Sequence, residues 1–281
     1  MRDPSTDSQP PFGAHCLSML REAVRQAGDR APWYWLAKLA RKIALCGQSG
    51  PFDVSLFGSQ KARLHPYDNR CERRAITGVR FWDTAERAAL DAAAQAAGSD
   101  GFVFVDAGAN VGLYTLSVRA AALAAGVPFQ GLAIEPDPTN GARLRCNLDA
   151  SGADDVAIAP VALSATAGRI QLISVGLANR GEVRLADAGA KNAIDVEAKP
   201  LLDVVRAAGL ARIDAMKVDI EGQEAQALDP FFQAAPKALR PKLLIVETSR
   251  DGRPALIDLL KSHGYKVDRR VDINTILRRV D

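Results

Sequence analysis

The sequence predicts an α/β fold: a mostly parallel, doubly wound sheet with helices on both faces, preceded by an N-terminal helical extension. From Gly101 onward, apolar runs of strand length alternate with segments of helical periodicity. This alternation is typical of parallel strands joined by crossover helices. The 281 residues are 48% hydrophobic and 25% charged, which supplies a core and differs from the polar composition of a disordered chain.

The sequence divides at residue 84. Residues 1–83 predict a helical and hairpin extension, and residues 84–281 predict the sheet domain with the ligand site. Apolar spacing predicts a first helix over 17–28, and 31–47 predicts a second that is amphipathic and basic. Alternation over 52–67 predicts two strands. We expect the aromatic face of the second helix to pack on the protein body or on the second subunit of a homodimer; attachment to a membrane surface is the alternative.

The elements of the sheet domain follow in order. An alanine-rich helix is predicted over 84–98, with Thr84 as its N-cap. The strands and helices that alternate after it are predicted at 102–106, 111–126, 129–135, 139–152, 156–163, 200–209, 213–219, 225–228 and 241–247. Between 163 and 200, the runs 169–175 and 181–186 predict an antiparallel excursion.

Charge and cysteine content exclude several classes of protein. The 36 basic and 33 acidic residues leave a net charge of only +3, which disfavours a nucleic-acid partner because no concentrated basic face is expected. The cysteines are too far apart for a zinc module or a redox dithiol; they are Cys16, Cys46, Cys71 and Cys146. The N-terminus lacks a secretory pattern, and no apolar stretch reaches the ~20 residues of a membrane span. We therefore expect a cytoplasmic protein.

Acidic residues stand at the ends of four predicted strands. Asp106, Glu135, Asp219 and Glu247 each follow a run of apolar residues directly. An acid at one strand end is as often a helix cap, but four together are harder to explain in that way. Since ligands of an open parallel sheet bind outside the carboxyl ends of its strands, we expect these carboxylates around one crevice.

The turn after the first strand of the series indicates which ligand this crevice binds. It reads D-x-G-x-N-x-G from Asp106 to Gly112, so the glycine spacing differs from the dinucleotide fingerprint and an acid stands where a phosphate would be repelled. The pattern suits a positively charged ligand without phosphate, such as S-adenosylmethionine. Gly108 and Gly112 would serve close approach and tight turning.

Two further acidic positions fit the same ligand. Glu135, at the end of the next strand, can accept hydrogen bonds from both ribose hydroxyls. Asp154 and Asp155 precede the third strand, where we expect Asp154 to meet the adenine amino group; the alternative is that both are surface acids.

Six segments of the chain, within roughly residues 65 to 281, are together similar to the FkbM-type methyltransferases. The first segment in chain order is generic by itself, but its combination with the K-x-D-x-E-G-x-E element at 217–224 is specific to the family. The segments are VDAGANVGLYT (105–115), AIEPDPTNGARLRCNLDASG (133–152), VALS (161–164), MKVDIEGQE (216–224), LIVETS (244–249), and HGYKV (263–267) followed by Asn274.

The resemblance implies a Rossmann-like class I methyltransferase fold, S-adenosylmethionine as cofactor, and methyl transfer to a small-molecule acceptor, often a hydroxyl of a sugar or natural product. It implies that Glu135 is the ribose ligand and that Asn140 assists near the cofactor. The methionine side of the cofactor would be held by a loop comprising Asp106, Gly108, Asn110 and Gly112.

The chain departs from the family pattern at two places. Lys199 stands where a small hydroxyl residue is expected, and Thr248 and Ser249 stand where the family often has a bulkier residue or a His. Both departures bear on the choice of acceptor more than on the cofactor.

Three residues in MKVDIEG are the predicted catalytic group. Lys217, Asp219 and Glu221 share parity, so an extended chain points them to one side. We expect Asp219 or Glu221 to take the acceptor proton if burial raises its pKa, and Lys217 to hold their charge or orient the acceptor. In the competing interpretation, Lys217 and Asp219 are a structural ion pair and Glu221 caps the next helix. A divalent metal on Asp219, Glu221 and Glu247 stays an alternative, although no metal ligand is assigned.

Other functions stay open at this point. A non-catalytic binding protein with the same fold would keep Asp106 and Glu135 but lack an acceptor pocket. A nucleobase-methylating N-methyltransferase would normally carry two prolines and an aromatic residue where this chain has DIEG (219–222). A nicotinamide-dependent oxidoreductase is disfavoured by the glycine spacing and by Asp106.

Overall fold

The computed structural model describes residues 38–39, 41–42, 45, 49–174, 183–186, 190, 193–249 and 251–280. The helix predicted at 17–28 lies outside the described residues, as does most of the helix predicted at 31–47. The homodimer contact predicted through these helices therefore lies outside them too.

The described chain alternates strands and helices. The strands are β1 (Phe52–Leu56), β2 (Gln60–Leu64), β3 (Phe102–Ala107), β4 (Phe129–Ile134), β5 (Val156–Ala159), β6 (Ala162–Leu163), β7 (Gly168–Ser174), β8 (Val183–Leu185), β9 (Ile194–Lys199), β10 (Ala215–Val218), β11 (Leu243–Glu247), β12 (Tyr265–Val271) and β13 (Asn274–Arg279). The helices are α1 (Arg70–Thr77), α2 (Thr84–Gln95), α3 (Leu113–Ala124), α4 (Pro138–Ala150), α5 (Leu201–Ala207), α6 (Glu224–Ala234) and α7 (Pro254–Ser262). None of these described helices has the length and apolar character needed to cross a bilayer.

Seven strands form the central sheet, in the order β12-β13-β11-β10-β3-β4-β5. The five strands from β11 to β5 are parallel, and β13 and β12 add antiparallel strands at one edge. The predicted doubly wound sheet is confirmed. Strand order reverses between β3 and β10, and the register pairs Asp106 with Lys217 there. The carboxyl ends of β3, β4, β10 and β11 consequently meet at one edge.

Both faces of the central sheet are buried. Along β3, Phe104 belongs to one hydrophobic cluster and Val105 to the other, as the period of two requires. Leu116 of α3 lies in the first cluster, and Phe231 of α6 lies in the second. Continuous apolar runs in the strands follow from this burial on both sides.

The hairpin β1–β2 docks on α4. The backbone N–H of Lys61 donates to Ser151 Oγ at 3.0 Å, and that of Arg63 donates to Asn147 Oδ1 at 2.7 Å. Phe52 and Leu64 belong to the same hydrophobic cluster as the first face of the sheet. The division between 1–83 and 84–281 stays a prediction, because the described part of the first segment shares a core with the second.

Two local expectations were wrong, and one helix was missed. The N-cap of α2 is Asp83, in left-handed conformation, and Thr84 is the first helical residue. The strand predicted over 156–163 is broken at Pro160, which lacks a backbone donor; β5 and β6 belong to different sheets. Helix α1 was not predicted. The antiparallel excursion is confirmed, since β7 pairs antiparallel with β8 and β9 in a second sheet, β6-β9-β7-β8.

Candidate functional site

A cavity of about 450 Å³ opens at the carboxyl edge of the central sheet. Its wall combines the loops after β3, β4 and β10 with the last residue of β11, the turn between β12 and β13, α1, the start of α2 and the second sheet. Among the described residues that line it, carboxylates outnumber cations by seven to three. The carboxylates are Asp83, Glu86, Glu135, Asp219, Glu221, Glu247 and Asp272; the cations are Arg70, Arg74 and Lys217.

The loop from β3 to α3 passes very close to the end of β10. Gly108 has φ +81°, and a Cβ placed on it would lie 1.8 Å from the carbonyl oxygen of Asp219. Gly112 has φ +83°, and its Cβ would lie 2.5 Å from Leu144 Cδ1. Both predicted glycines are therefore fixed by backbone conformation and by close approach. Of the two, Gly108 lines the cavity.

Glu135 joins the loops after β3 and β4. Its Oε2 accepts from the backbone N–H of Asn110 at 2.8 Å, and its Oε1 accepts from the N–H of Asp137 at 2.9 Å. Asn110 has φ +53°, and its Oδ1 accepts from Asn69 Nδ2 at 2.9 Å. These bonds hold both Asn110 and Glu135 in the cavity wall.

Burial makes Glu135 a weak acid. The side chain lies at the cavity wall with only 5% of its surface exposed, and the loss of hydration raises its pKa to about 7. Hydrogen bonds from the Asp137 and Asn110 backbones and from the Asn140 side chain oppose the rise. Asn140 is buried behind Glu135 and does not belong to the described lining residues, so it supports the carboxylate.

Asp106 lies beneath the site. It is 1% exposed and is not one of the described residues that line the cavity. Its Oδ2 accepts from the backbone N–H of Thr115 at 3.1 Å and from Thr115 Oγ1 at 2.7 Å. Asp106 thereby ties the end of β3 to the first turn of α3. Burial raises its pKa, and nearby Lys217 counteracts this rise.

Lys217 and Asp219 form an ion pair in the cavity wall. Lys217 Nζ donates to Asp219 Oδ2 at 2.9 Å and lies 4.7 Å from the ring centroid of Tyr114. Burial opposes the lysine charge, but the carboxylates of Asp219 and Asp106 outweigh it, so the pKa of Lys217 lies above its ordinary value. The Lys217 ammonium is thus fixed between two carboxylates and an aromatic face.

Glu221 lines the cavity, but the alternation of side chains along an extended strand, on which the prediction was based, does not place it there. Strand β10 ends at Val218, and Glu221 adopts φ +54°, so the chain is not extended there. Lys217, Asp219 and Glu221 nevertheless all line the cavity. The residue that caps the following turn is Glu224, whose Oε1 accepts from the N–H groups of Ile220 and Gly222. The competing interpretation of Glu221 as the helix cap is wrong.

The prediction that Asp154 meets the adenine amino group does not fit its position in the structure. It is an exposed residue that precedes β5, and the register pairs the first residue of β5, Val156, with Gly131 in the middle of β4. The carboxyl end of β5, Ala159, is opposite Ile134. Asp154 therefore lies toward the amino edge, away from the cavity. Its neighbour Asp155 accepts from Arg119 Nε at 2.7 Å.

Glu247 ends β11 in the cavity wall and is half-buried. Its Oε2 has no hydrogen-bond partner among the described residues. Burial raises its pKa to about 7, the negative charges of Asp219 and Glu224 add to the rise, and Arg253 opposes it. A carboxylate with this pKa is well suited to accept a proton near neutral pH.

The sequence reasoning missed Glu86. This side chain lines the cavity and is 2% exposed, and Asn274 Nδ2 donates to its Oε1 at 2.8 Å. The signal was present: Glu86, Leu90 and Ala94 are the buried positions of α2, so an acid occupies the apolar face of an alanine-rich helix. Asn274 was noted only as part of the family resemblance.

A metal-binding cluster is not evident in the part of the chain that the structure describes. No group of three or more His, Cys, Asp and Glu side chains is arranged there to hold an ion. The described cysteines, Cys71 and Cys146, are free thiols, and burial raises the pKa of Cys71 to about 12.

Comparison with known proteins decides the family. Residues 106–267, more than half of the chain, match the sequence model of the methyltransferase FkbM domain. The chain belongs to the FkbM methyltransferase family. The match begins at Asp106 and covers Glu135, the Lys217–Asp219 pair and Glu247. Membership of this family confirms the predicted methyltransferase class, the Rossmann-like class I fold and S-adenosylmethionine as cofactor.

Individual proteins are similar to this chain over different shares of its length. Methyltransferase sdnD of Sordaria araneosa is 29% identical over an alignment of 197 residues, gaps included, that covers 59% of this chain and 74% of that protein. The AMB antimetabolite synthetase AmbE of Pseudomonas aeruginosa is 30% identical over an alignment of 214 residues, gaps included, that covers 60% of this chain but only 10% of that synthetase. The crystal structure of an FkbM methyltransferase from Methylobacillus flagellatus aligns with a TM-score of 0.47 and 17% identity, over 96% of this chain and 61% of that one.

Proposed function

We propose that this FkbM-family methyltransferase methylates a hydroxyl group of a small molecule, such as a sugar or natural product. The observation that carries the proposal is Glu247, a carboxyl group in the wall of the cavity beside the Lys217–Asp219 pair; its Oε2 has no hydrogen-bond partner among the described residues, and its pKa is raised to about 7. A hydroxyl must lose its proton as it is methylated, whereas a neutral amine can attack without a base. A positioned base contributes about 10²–10⁴ to the rate of such a step.

The chemistry of the wall fits the cofactor. An excess of carboxylates suits a ligand with an ammonium and a sulfonium group and opposes one with phosphates. We assign Glu135 to the ribose hydroxyls and the backbone of Gly108 to Asn110 to the methionine side. Asp106, Gly112 and Asn140 support these groups from behind. When bound, S-adenosylmethionine supplies an electrophilic methyl group, and its sulfur keeps the electron pair of the broken bond.

Asp219 and Glu247 have different roles in the proposed reaction. Asp219 accepts a hydrogen bond from Lys217 and holds that ammonium in place, so its carboxylate is already engaged. Glu247, adjacent in the sheet edge and without a cationic hydrogen-bond partner among the described residues, takes the acceptor proton. Lys217, in β10, and Glu221, in the loop that follows this strand, orient the acceptor oxygen. Correct alignment of the acceptor supplies much of the acceleration of a displacement reaction.

The proposal is tested with S-adenosylmethionine that carries a deuterated methyl group. Purified protein is incubated with pooled hydroxylated and aminated small molecules, and labelled products are located by mass spectrometry and NMR. We expect the label on oxygen. Exclusive labelling of nitrogen would refute O-methylation while leaving the methyltransferase class intact.

A further inference from the structure

The cavity is also lined by three buried side chains that are not assigned to cofactor binding. Glu86 lies at the start of α2, Trp82 precedes that helix, and Asn274 begins β13. They are 2%, 1% and 6% exposed, respectively, and all three line the cavity. We call this group the Glu86 subsite.

Each side chain of the Glu86 subsite has one polar atom without a partner among the described residues. Glu86 Oε2 and Asn274 Oδ1 are acceptors, and Trp82 Nε1 is a donor. Leaving a buried polar atom unsatisfied costs about 1–3 kcal/mol, so native proteins rarely keep several together. Since all three side chains line one cavity wall, their unpaired atoms suit a ligand with hydroxyl or amino groups and an oxygen acceptor.

The Glu86 subsite adjoins the proposed base. Glu247 and Asn274 are directly opposite each other in the antiparallel pairing of β11 with β13. Side chains of such a pair point to the same side of the sheet. Since β10 and β3 separate β11 from β4, the subsite and Glu135 lie toward opposite ends of the cavity. A molecule seated on Glu86 and Asn274 would place its next group at Glu247.

The charge of the cavity restricts what can bind there. Seven carboxylates face three cations among the described lining residues. Lys217 is already paired with Asp219, and Arg74 Nη1 lies 3.5 Å from Asp83 Oδ1. An acceptor with a carboxylate or phosphate would meet like charge, which opposes binding.

We propose that the Glu86 subsite binds the part of the acceptor next to the methylated hydroxyl, and that this acceptor is a polyol or amino polyol without an anionic group. Glu86 Oε2 and Asn274 Oδ1 accept from its hydroxyl or ammonium groups, and Trp82 Nε1 donates to one of its oxygens. The proposal deepens the O-methyltransferase assignment and rests on it.

The test uses three sugars with the same ring: methyl glucoside, glucosamine and glucuronic acid, which are neutral, cationic and anionic. Binding to protein saturated with S-adenosylhomocysteine is followed by saturation-transfer NMR. Glu86→Gln keeps an acceptor for Asn274 and replaces the second oxygen by a donor. Asp91→Asn removes a carboxylate from the same helix at a residue that does not line the cavity, and is the matched control.

We expect methyl glucoside and glucosamine to bind, and glucuronic acid to bind at least about tenfold more weakly. Glu86→Gln should weaken both binders about tenfold or more, with the affinity for S-adenosylhomocysteine unchanged, and Asp91→Asn should have no effect. Equal binding of glucuronic acid, no binding of any sugar, or full binding by Glu86→Gln would overturn the subsite. Failure of S-adenosylhomocysteine itself to bind would instead overturn the proposed function.

Discussion

Gly108 approaches Asp219 so closely that a Cβ on the glycine would lie 1.8 Å from the aspartate carbonyl oxygen. This contact joins the loop that follows β3 to the end of β10, where the backbone N–H of Asp219 also donates to the carbonyl of Ala107 at 2.9 Å. The loop that follows β3 and the loop that follows β10 are consequently one packed unit. A change in either displaces the other.

Gly108→Ala should therefore damage both stability and binding. The methyl group meets backbone rather than a flexible side chain, and the residue has φ +81°. Overpacking and left-handed strain together predict a loss of about 2–5 kcal/mol in the free energy of unfolding, with loss of S-adenosylhomocysteine binding. Gly141→Ala, in α4 with open space around it, is the control and should stabilise by about 0.5–1 kcal/mol. Denaturant titration and calorimetry measure both; equal behaviour of the variants would refute the close approach.

Glu135→Gln should stabilise the free protein at high pH. The folded pKa of Glu135 is about 7 against an ordinary 4.5, so its contribution to stability is full below pH 4.5 and is lost as the pH rises through 7. The loss amounts to about 3 kcal/mol. Glutamine does not ionise, so the variant does not suffer this decrease in the free energy of unfolding. At pH 8 it should unfold at a higher denaturant concentration than the wild type, and at pH 4.5 it should have no such advantage. A wild type that stays more stable than the variant at pH 8 would contradict the buried carboxyl.

Lys217→Met should lower the stability of the protein, because it leaves Asp219 without its ion-pair partner. Removing one partner of a buried ion pair costs about 3–5 kcal/mol, and because the Asp219 side chain stays 34% exposed we expect the lower end of that range. Asp219→Asn should cost less, since Asp106 still faces the ammonium. The double variant should lose less stability than the two single losses together. Strict additivity in a double-mutant cycle would show that the pair is not coupled.

Glu247→Gln should change the pH profile of methyl transfer. In the wild type the rate should rise with pH through an apparent pKa near 7, because the carboxylate form of Glu247 accepts the proton. The variant should lose about 10²–10⁴ in kcat and this dependence, while its affinity for S-adenosylhomocysteine is kept. Asp258→Asn, an exposed acid on α7, is the control. If Glu247→Gln keeps the pH profile of the wild type, Glu247 does not accept the proton. If Asp219→Asn loses the pH dependence instead, the proton acceptor is Asp219.

The sequence was informative where chemistry coincides with strand ends. Glu135, Asp219 and Glu247 all line the cavity, because parallel strands place their carboxyl ends at one edge. Asp154 was misplaced because it precedes β5, and a residue that precedes a parallel strand lies toward the amino edge of the sheet, opposite the edge where the cavity opens. Glu86 went unnoticed because its role depends on contact with Asn274, which is 188 residues away in the chain. Pairings at that separation arise from the fold and leave no local pattern.

The central claim is that the cavity at the sheet edge binds S-adenosylmethionine through Glu135. Isothermal titration of S-adenosylhomocysteine into the wild type and Glu135→Gln tests it most directly. We predict one ligand per chain for the wild type, an affinity about 10–100-fold lower for the variant, and no binding of NAD. Folded wild type that fails to bind S-adenosylhomocysteine, or a Glu135→Gln variant that binds it with undiminished affinity, would contradict the claim.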